Sequence, residues 1–364
     1  MTELLNKNAS IGIFGSGQLG MMFAERAIRH GHKVISFSDS YGPIVLAGAD
    51  LIVGKYENLE AIQNFVDRVD IVTFEFENIP SETLKFLKQF PSKIFPNPNS
   101  IAIAQDRVLE KSLFQELHLP TPKFFAFSTE DFPKEAPLPF PFLAKTRKFG
   151  YDGKGQFKIL NHENWKVFYS SNKATDFILE EVIPFQREVS SIAVRFRDGK
   201  TKLLAIAENK HKNHILDTSI FPCNVENPNF LEEATTKIAD KLDYCGVFAI
   251  EFFIKDQNFY LNEMAPRPHN SGHFSQDAGT LSQFDLQLFS ILGYPSFDFP
   301  KPNPTVMKNL VGDEFNNLLP LIRQLTIDPR YQLHVYGKSE VKVGRKMGHV
   351  NFKGKIEEVD QRLL

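Results

Sequence analysis

The hydrophobic positions of this chain fall into short runs whose spacing changes twice along its length. Near the amino end the runs alternate with stretches of helical period. Residues 11–14, Ile-Gly-Ile-Phe, predict a strand. The turn Gly15-Ser-Gly-Gln-Leu-Gly20 follows, then a helix through about His30 that Gly31 ends, then a second strand over 33–37. A strand over 70–74 and a helix over 81–89 continue the order. Such alternation predicts a parallel sheet covered on both faces. The proline-broken Phe95-Pro-Asn-Pro-Asn-Ser100 then marks a junction.

Beyond it a helix is predicted over 101–117, and the proline-rich stretch 131–142 leads to a strand over 142–145, a glycine-rich loop and another strand. Alternating strands over 189–207 turn back at Arg197-Asp-Gly-Lys200, the pattern of an antiparallel sheet, so the middle of the chain reads as α+β. Prolines between Tyr294 and Pro302 mark a second junction, and the remainder forms a small tail carrying Gly344-Arg-Lys-Met-Gly-His349.

Composition narrows the partners. A chain of 364 residues is long enough for two or three domains. A formal net charge of −2, with 24% charged residues, offers no general surface for nucleic acid or membrane, so an anionic ligand has to be held by local clusters. Two cysteines, Cys223 and Cys245, are too few for a disulfide framework or a cysteine zinc site and fit a reducing compartment. No apolar run reaches the roughly 18 residues of a membrane span, and MTELLNKNAS lacks the apolar segment of a signal peptide. A cytoplasmic protein is expected, with a core packed by its 35 phenylalanines.

Four local patterns carry candidate chemistry. Gly15-x-Gly17-x-x-Gly20, with Asp39 beyond it, matches a dinucleotide loop in which Asp39 holds a ribose hydroxyl. Alone it supports an NAD-dependent dehydrogenase, and it also fits a plain tight turn. Strand-like residues 246–254 and 259–263 flank Lys255-Asp-Gln-Asn258. If Lys255 pairs with Phe259, Glu251 falls opposite Glu263; a slip of one residue puts it opposite Asn262. Carboxylates facing one another in apolar strands repel. A shared Mg²⁺, commonly held by one or two carboxylates plus substrate phosphates, resolves the conflict; two glutamates on a solvent face are the plain alternative. The loop from Lys145 to Gln156 holds three glycines and four cationic side chains, which fits a flap over a polyphosphate or a basic hairpin. Finally, Asn262-Glu-Met-Ala-Pro-Arg-Pro-His-Asn-Ser-Gly-His273 crowds a carboxylate, a guanidinium and two imidazoles after a strand.

Together GSGQLG, TFEFENIP, QDRVLEK, GYDGKGQ, NEMAPRPHNSGH and GRKMGH, in this order from Ile11 to about Val350, resemble the N5-carboxyaminoimidazole ribonucleotide synthetases of the ATP-grasp superfamily. The resemblance implies a Rossmann-like domain over 1–98, an ATP-grasp domain over 99–298 with a lid at about 120–182, and a small C-terminal domain over 299–364, α/β joined to α+β. It implies ATP-dependent carboxylation of 5-aminoimidazole ribonucleotide by bicarbonate through carboxyphosphate, in purine (IMP) biosynthesis. It further implies a cytoplasmic homodimer using Mg²⁺, or Mn²⁺ in its place, with no nucleic-acid or membrane partner.

Matched position by position, the resemblance implies nucleotide contacts at Arg107, Lys145, Gly150, Tyr151, Asp152, Gly153, Lys154, Gly155, Gln156, Glu180, Glu181, Val182, Ile183, Glu188, His211, Asn262 and Glu263. Glu188 is expected on ribose hydroxyls, and the backbone of 180–183 on adenine. Glu251 and Glu263 are the implied metal ligands. The ribonucleotide is expected against Gln18, Glu75, Tyr151, Asp152, Arg267, His269, Asn270, Lys338 and Arg345, its phosphate gripped by Arg267, Lys338 and Arg345. Catalytic roles fall on Lys145, Tyr151, Asp152, Lys154, Arg267 and His273, with His273 and Asn270 beside bicarbonate. Phe149 and Ser16 stand where the family has glycine. His211 also reads as a surface histidine in a basic run. Another ATP-grasp ligase, such as the formate-dependent glycinamide ribonucleotide transformylase, and a non-enzymatic nucleotide-sensing module are the nearer alternatives.

Overall fold

The computed structural model describes residues 8–364 apart from 129, 130, 149, 151–154, 173, 174 and 280. The first apolar runs become β1 (Ser10–Phe14), β2 (Lys33–Ser38), β3 (Asp50–Val53) and β4 (Ile71–Phe74), a parallel sheet in the order β3-β2-β1-β4. α1 (Gln18–Arg29), α2 (Leu59–Asp67) and α3 (Ser81–Leu87) complete this unit. On one face Phe14 packs against Phe37, Phe65 and Phe74 with ring centroids 6.0, 5.2 and 5.4 Å away.

The single helix expected over 101–117 is two, α4 (Pro98–Ala104) and α5 (Arg107–Glu116). Asp106 divides them: its carboxylate accepts the N–H groups of Val108 (3.1 Å) and Leu109 (3.4 Å), so a short acidic side chain starts a new helix where the apolar period alone runs on. Next comes a small antiparallel sheet of β5 (Phe124–Phe127), β6 (Phe142–Thr146), β7 (Gln156–Ile159) and β8 (Phe177–Glu181), in the order β5-β8-β6-β7. With α6 (His162–Ser171) it encloses its own aromatic core of Phe142, Trp165, Phe168 and Phe177.

The largest sheet contains β9 (Arg187–Arg195), β10 (Thr201–Lys212), β11 (Ile215–Phe221), β12 (Gly246–Lys255), β13 (Asn258–Ala265), β14 (Thr305–Val311), β15 (Tyr331–Val335) and β16 (Lys346–Lys353). Its order is β13-β12-β9-β10-β11-β14-β16-β15. α5 and α7 (Pro228–Lys241) cover one face through Leu113, Phe114, Leu231 and Ile238. α8 (Gln283–Leu292) contributes to the opposite core and also packs on α1 through Phe284 and Leu288. α9 (Gly312–Leu325) covers the last strands. Because β11 pairs antiparallel with β14, the sheet continues across the prolines of 294–302. Those prolines divert the chain without ending the sheet. Among the described residues no helix is long and apolar enough to cross a membrane.

Candidate active site

β12 and β13 are joined by a tighter turn than the sequence suggests. Lys255 pairs with Asn258 rather than Phe259, and Asp256 and Gln257 take positive φ values of 47° and 66°, a two-residue hairpin. The register therefore starts one residue out, with Phe252 opposite Leu261. A bulge then restores the expected register, Ile250 facing Met264, so that Glu251 alone opposes Asn262 and Glu263 together. Each register weighed from the sequence occupies one side of that bulge.

A cluster of carboxylates results. Asn262 Nδ2 donates to Glu251 Oε2 at 3.4 Å, and His269 Nε2 lies 3.7 Å from Glu251 Oε1. Burial, then the charges of Glu188 and Glu263, holds the Glu251 carboxyl well above its usual range. Burial and Glu263 likewise push Glu188 up to about 8, against the pull of Lys145. His211 Nδ1 is 3.5 Å from Glu188 Oε1 and Arg107 Nη1 is 3.8 Å from Glu263 Oε2. Carboxyls that raise one another in this way select a cation. Among the described residues no three His, Cys, Asp or Glu side chains gather closely enough to hold a metal alone. Glu251 and Glu263 offer the one or two carboxylates with which a hard cation's shell commonly begins. Asn262 Oδ1, buried without a partner, adds a further hard oxygen beside Glu251 and Glu263.

Cations lie next to this cluster. Lys145 Nζ is 2.9 Å and Lys111 Nζ 3.7 Å from Glu180 Oε2. Burial would raise Glu180, but the two ammonium groups outweigh it and hold the carboxyl at about 2. The charged Glu180 fixes Lys145 from beneath, ahead of Glu181, Val182 and Ile183. Arg107 Nη2 donates to the Gly150 carbonyl at 3.2 Å, and Gln156 pairs with Lys145 across β6 and β7, so both roots of the 150–156 loop border this pocket. Tyr151, Asp152, Gly153 and Lys154 lie outside the described residues, as does Phe149.

On the other side, the first glycine loop already holds an anion. Gly17 and Gly20 donate their N–H groups to the Glu75 carboxylate, the second at 2.7 Å, and a Cβ on Gly15 or Gly17 would collide with it. The helix terminus that serves a pyrophosphate in a dinucleotide fold is thus capped from within. Asp39 accepts from the Ser40 hydroxyl at 3.0 Å. The dehydrogenase reading has no support in this arrangement. Ser16, where glycine is common, donates to the Ser40 carbonyl at 2.9 Å and helps shape the loop. Burial raises Glu75, while those amides and then the charges of Arg267 and Lys338 pull it down. Lys338 Nζ in turn donates to Gln18 Oε1 at 2.6 Å. Gln18, Glu75, Arg267 and Lys338, from four distant stretches, meet here.

Comparisons with known proteins match three successive stretches of the chain. The profile of the ribonucleotide synthetase preATP-grasp domain matches residues 8–105, that of the ATP-grasp domain 112–284, and that of the phosphoribosylaminoimidazole carboxylase C-terminal domain 305–362. An N5-carboxyaminoimidazole ribonucleotide synthase of Staphylococcus epidermidis is 36% identical over 353 residues, covering 95% of this chain and 92% of that one. The chain belongs to the N5-carboxyaminoimidazole ribonucleotide synthase family. The Pseudomonas aeruginosa synthase is 35% identical, with 94% of each chain covered. A solved synthetase from Staphylococcus aureus complexed with ADP superposes with a TM-score of 0.86 at 34% identity, covering 95% of this chain and 93% of that one. A synthase from Aspergillus clavatus, in complex with ADP and 5-aminoimidazole ribonucleotide, gives 0.84 at 25% identity, with 96% and 94% covered.

Against the synthase resemblance, three expected residues stand differently. His273 has no exposed surface: its Nδ1 pairs with Gln283 Nε2 at 3.0 Å and its ring lies 5.1 Å from that of His349. It sits in the wall behind His269. Asn270 is buried in a reciprocal amide pair with Asn309, at 3.1 and 2.7 Å, which occupies the groups expected to face bicarbonate. Arg345 donates to the Glu340 carbonyl at 3.1 Å within its own loop. Two unexpected residues join the site. Glu77 holds Arg267 in a two-pronged pair, at 2.7 and 3.2 Å, and Lys346 acts on Glu251, His269 and His273 by its charge. Glu77 was readable as the second carboxylate of TFEFENIP, and Lys346 as the neighbour of Arg345.

His273 belongs to a stack in which His349 also lies 4.4 Å from His334, accepts or donates a 2.8 Å bond with Tyr336, and leaves His334 to Asp277 at 2.8 Å. Burial, then the charge of Lys346 for His273 and the neighbouring imidazoles for His349, holds both rings well below their ordinary range. They stay neutral in the fold and take up protons on unfolding below about 6.5, so stability is lost as the pH falls through that range. Denaturation midpoints are expected to drop between about pH 7 and 5, less steeply in His349→Gln. An identical slope in the variant would exclude the stack as the cause.

Proposed function

We propose that the chain carboxylates 5-aminoimidazole ribonucleotide with bicarbonate and ATP, giving N5-carboxyaminoimidazole ribonucleotide, ADP and phosphate in purine biosynthesis. The observation that carries this reading is Arg267, whose charge acts both on Glu263 of the carboxylate cluster and on Glu75 of the glycine loop. A phosphoryl donor at the first group and a ribonucleotide at the second therefore meet at one side chain.

In this reading Lys145 and Arg107 take the nucleotide phosphates, and residues 180–183 take adenine. Glu188 Oε1, buried with no hydrogen bond although His211 lies 3.5 Å away, accepts the ribose hydroxyls. Glu251 and Glu263 would hold magnesium, which would supply neutralisation of phosphate charge. A bicarbonate oxygen attacks the γ-phosphorus and ADP leaves. The exocyclic amine then attacks the carboxyl carbon of carboxyphosphate, phosphate departs and the nitrogen loses a proton. Water destroys carboxyphosphate, so the chemistry needs a covered site, the role assigned to residues 150–156. Arg267 and Lys338 tether the ribonucleotide phosphate, with Arg345 as a third candidate, and turn binding into orientation of the amine. His269, beside Glu251, is the imidazole assigned to bicarbonate in this reading.

Release of phosphate from ATP is expected to need bicarbonate and aminoimidazole ribonucleotide together. Stimulation by formate with glycinamide ribonucleotide instead would move the chain to the rival ligase. A cytoplasmic homodimer belongs to the same reading, and sedimentation of the purified chain checks the dimer.

A further inference from the structure

The bulge that sets Asn262 and Glu263 together against Glu251 leaves backbone groups to satisfy on the far side of β13. That strand is the edge of its sheet, so whatever points away from β12 finds no neighbouring strand among the described residues. In a regular strand successive carbonyls point to opposite sides. Here the carbonyls of Leu261 and Asn262 both accept from the Lys111 ammonium, at 3.2 and 2.7 Å. Such a double outward turn is what an inserted residue does to a strand. Two residues later the Met264 N–H donates to Glu110 Oε1 at 2.6 Å.

Glu110 and Lys111 are consecutive on α5, inside the QDRVLEK segment from which the proposed function uses only Arg107. They are 2% and 1% exposed. Charged side chains are costly to bury and need partners. Besides Thr121 and Glu180, which Lys111 also meets, these two find theirs in the three backbone groups that bracket Glu263, two acceptors before it and a donor after it. The consequence shows in the side chains. Consecutive strand residues normally face opposite sides of a sheet, yet Asn262 bonds to Glu251 and the Glu263 charge also acts on Glu251.

We infer that Glu110 and Lys111 are positioning residues for the metal: from α5 they hold the β13 bulge in the form that turns Glu263 toward Glu251. The inference rests on the assignment of Glu263 as a metal ligand, and one set of measurements separates the two. ADP affinity is measured by calorimetry with magnesium and with chelator, so no turnover is required. Glu110→Met fills the space without a good acceptor, whereas Glu110→Gln keeps an amide oxygen for the Met264 N–H. The increment that magnesium adds to ADP affinity is expected to fall about tenfold or more in Glu110→Met, the scale of losing a group that orients a ligand. Affinity without magnesium is expected to stay within about twofold, and Glu110→Gln to recover most of the increment. If the Met variant does not fold, Glu110→Ala takes its place in the same comparison with Gln. Glu263→Gln is the reference. Should it keep the full increment, the metal assignment itself is wrong. Should it lose the increment while Glu110→Met and Glu110→Ala keep theirs, the positioning role alone is overturned.

Discussion

Replacing Glu263 with glutamine is expected to leave the protein folded and to cut magnesium-dependent ADP formation by roughly 100-fold or more, the scale of removing one preorganised electrostatic group. The fold survives because the Glu263 side chain is 44% exposed and Arg107, its cationic partner among the described residues, is 3.8 Å away, too loose a pair to matter for stability. Turnover falls because a neutral amide in place of Glu263 removes one of the two charges that hold a divalent cation. Glu251→Gln makes a sharper companion. It is also expected to lose turnover, yet to raise the thermal midpoint, because it removes a carboxyl that burial and the Glu188 and Glu263 charges penalise. ADP release across a magnesium series, with circular dichroism as the control for folding, reads both. Wild-type turnover in Glu263→Gln would remove the metal assignment.

Arg267→Lys is expected to raise the KM for the ribonucleotide by roughly 10- to 150-fold, the equivalent of about 1.5–3 kcal/mol for a hydrogen bond to a charged group, with the KM for ATP within about twofold. Two guanidinium nitrogens of Arg267 are committed to Glu77, and among the described residues Nη1 bonds the Pro268 carbonyl, weakly at 3.4 Å. That leaves one edge of a planar group for phosphate. A lysine ammonium cannot serve Glu77 and a phosphate from two rigid directions at once. Arg345→Ala is expected to act in the same direction with a smaller effect, since its guanidinium reaches the Glu340 carbonyl in its own loop. Initial rates with each substrate varied in turn decide the matter. An equal rise in both KM values would sink the phosphate role of Arg267.

Local patterns in the chain determined the strands at 11–14, 33–37 and 70–74, the glycine turn between strand and helix, and the crowded polar stretch from Asn262 to His273. Each depends on neighbours a few residues apart: side-chain period, a turn-forming glycine, a proline that cannot donate. The order of six motifs was enough to suggest the family. Tertiary structure decided what those motifs face. Glu75 fills the first glycine loop because β4 lies beside β1, which no pattern within the loop encodes. The hairpin register was set by two left-handed turn residues and then corrected by a bulge whose backbone groups α5 satisfies. His273 went into the wall and Glu77 came to Arg267 because burial and charge pairing are settled between segments far apart in sequence. Side-chain period states which residues share a face, whereas the partner of that face is chosen only when the sheets and helices close on one another.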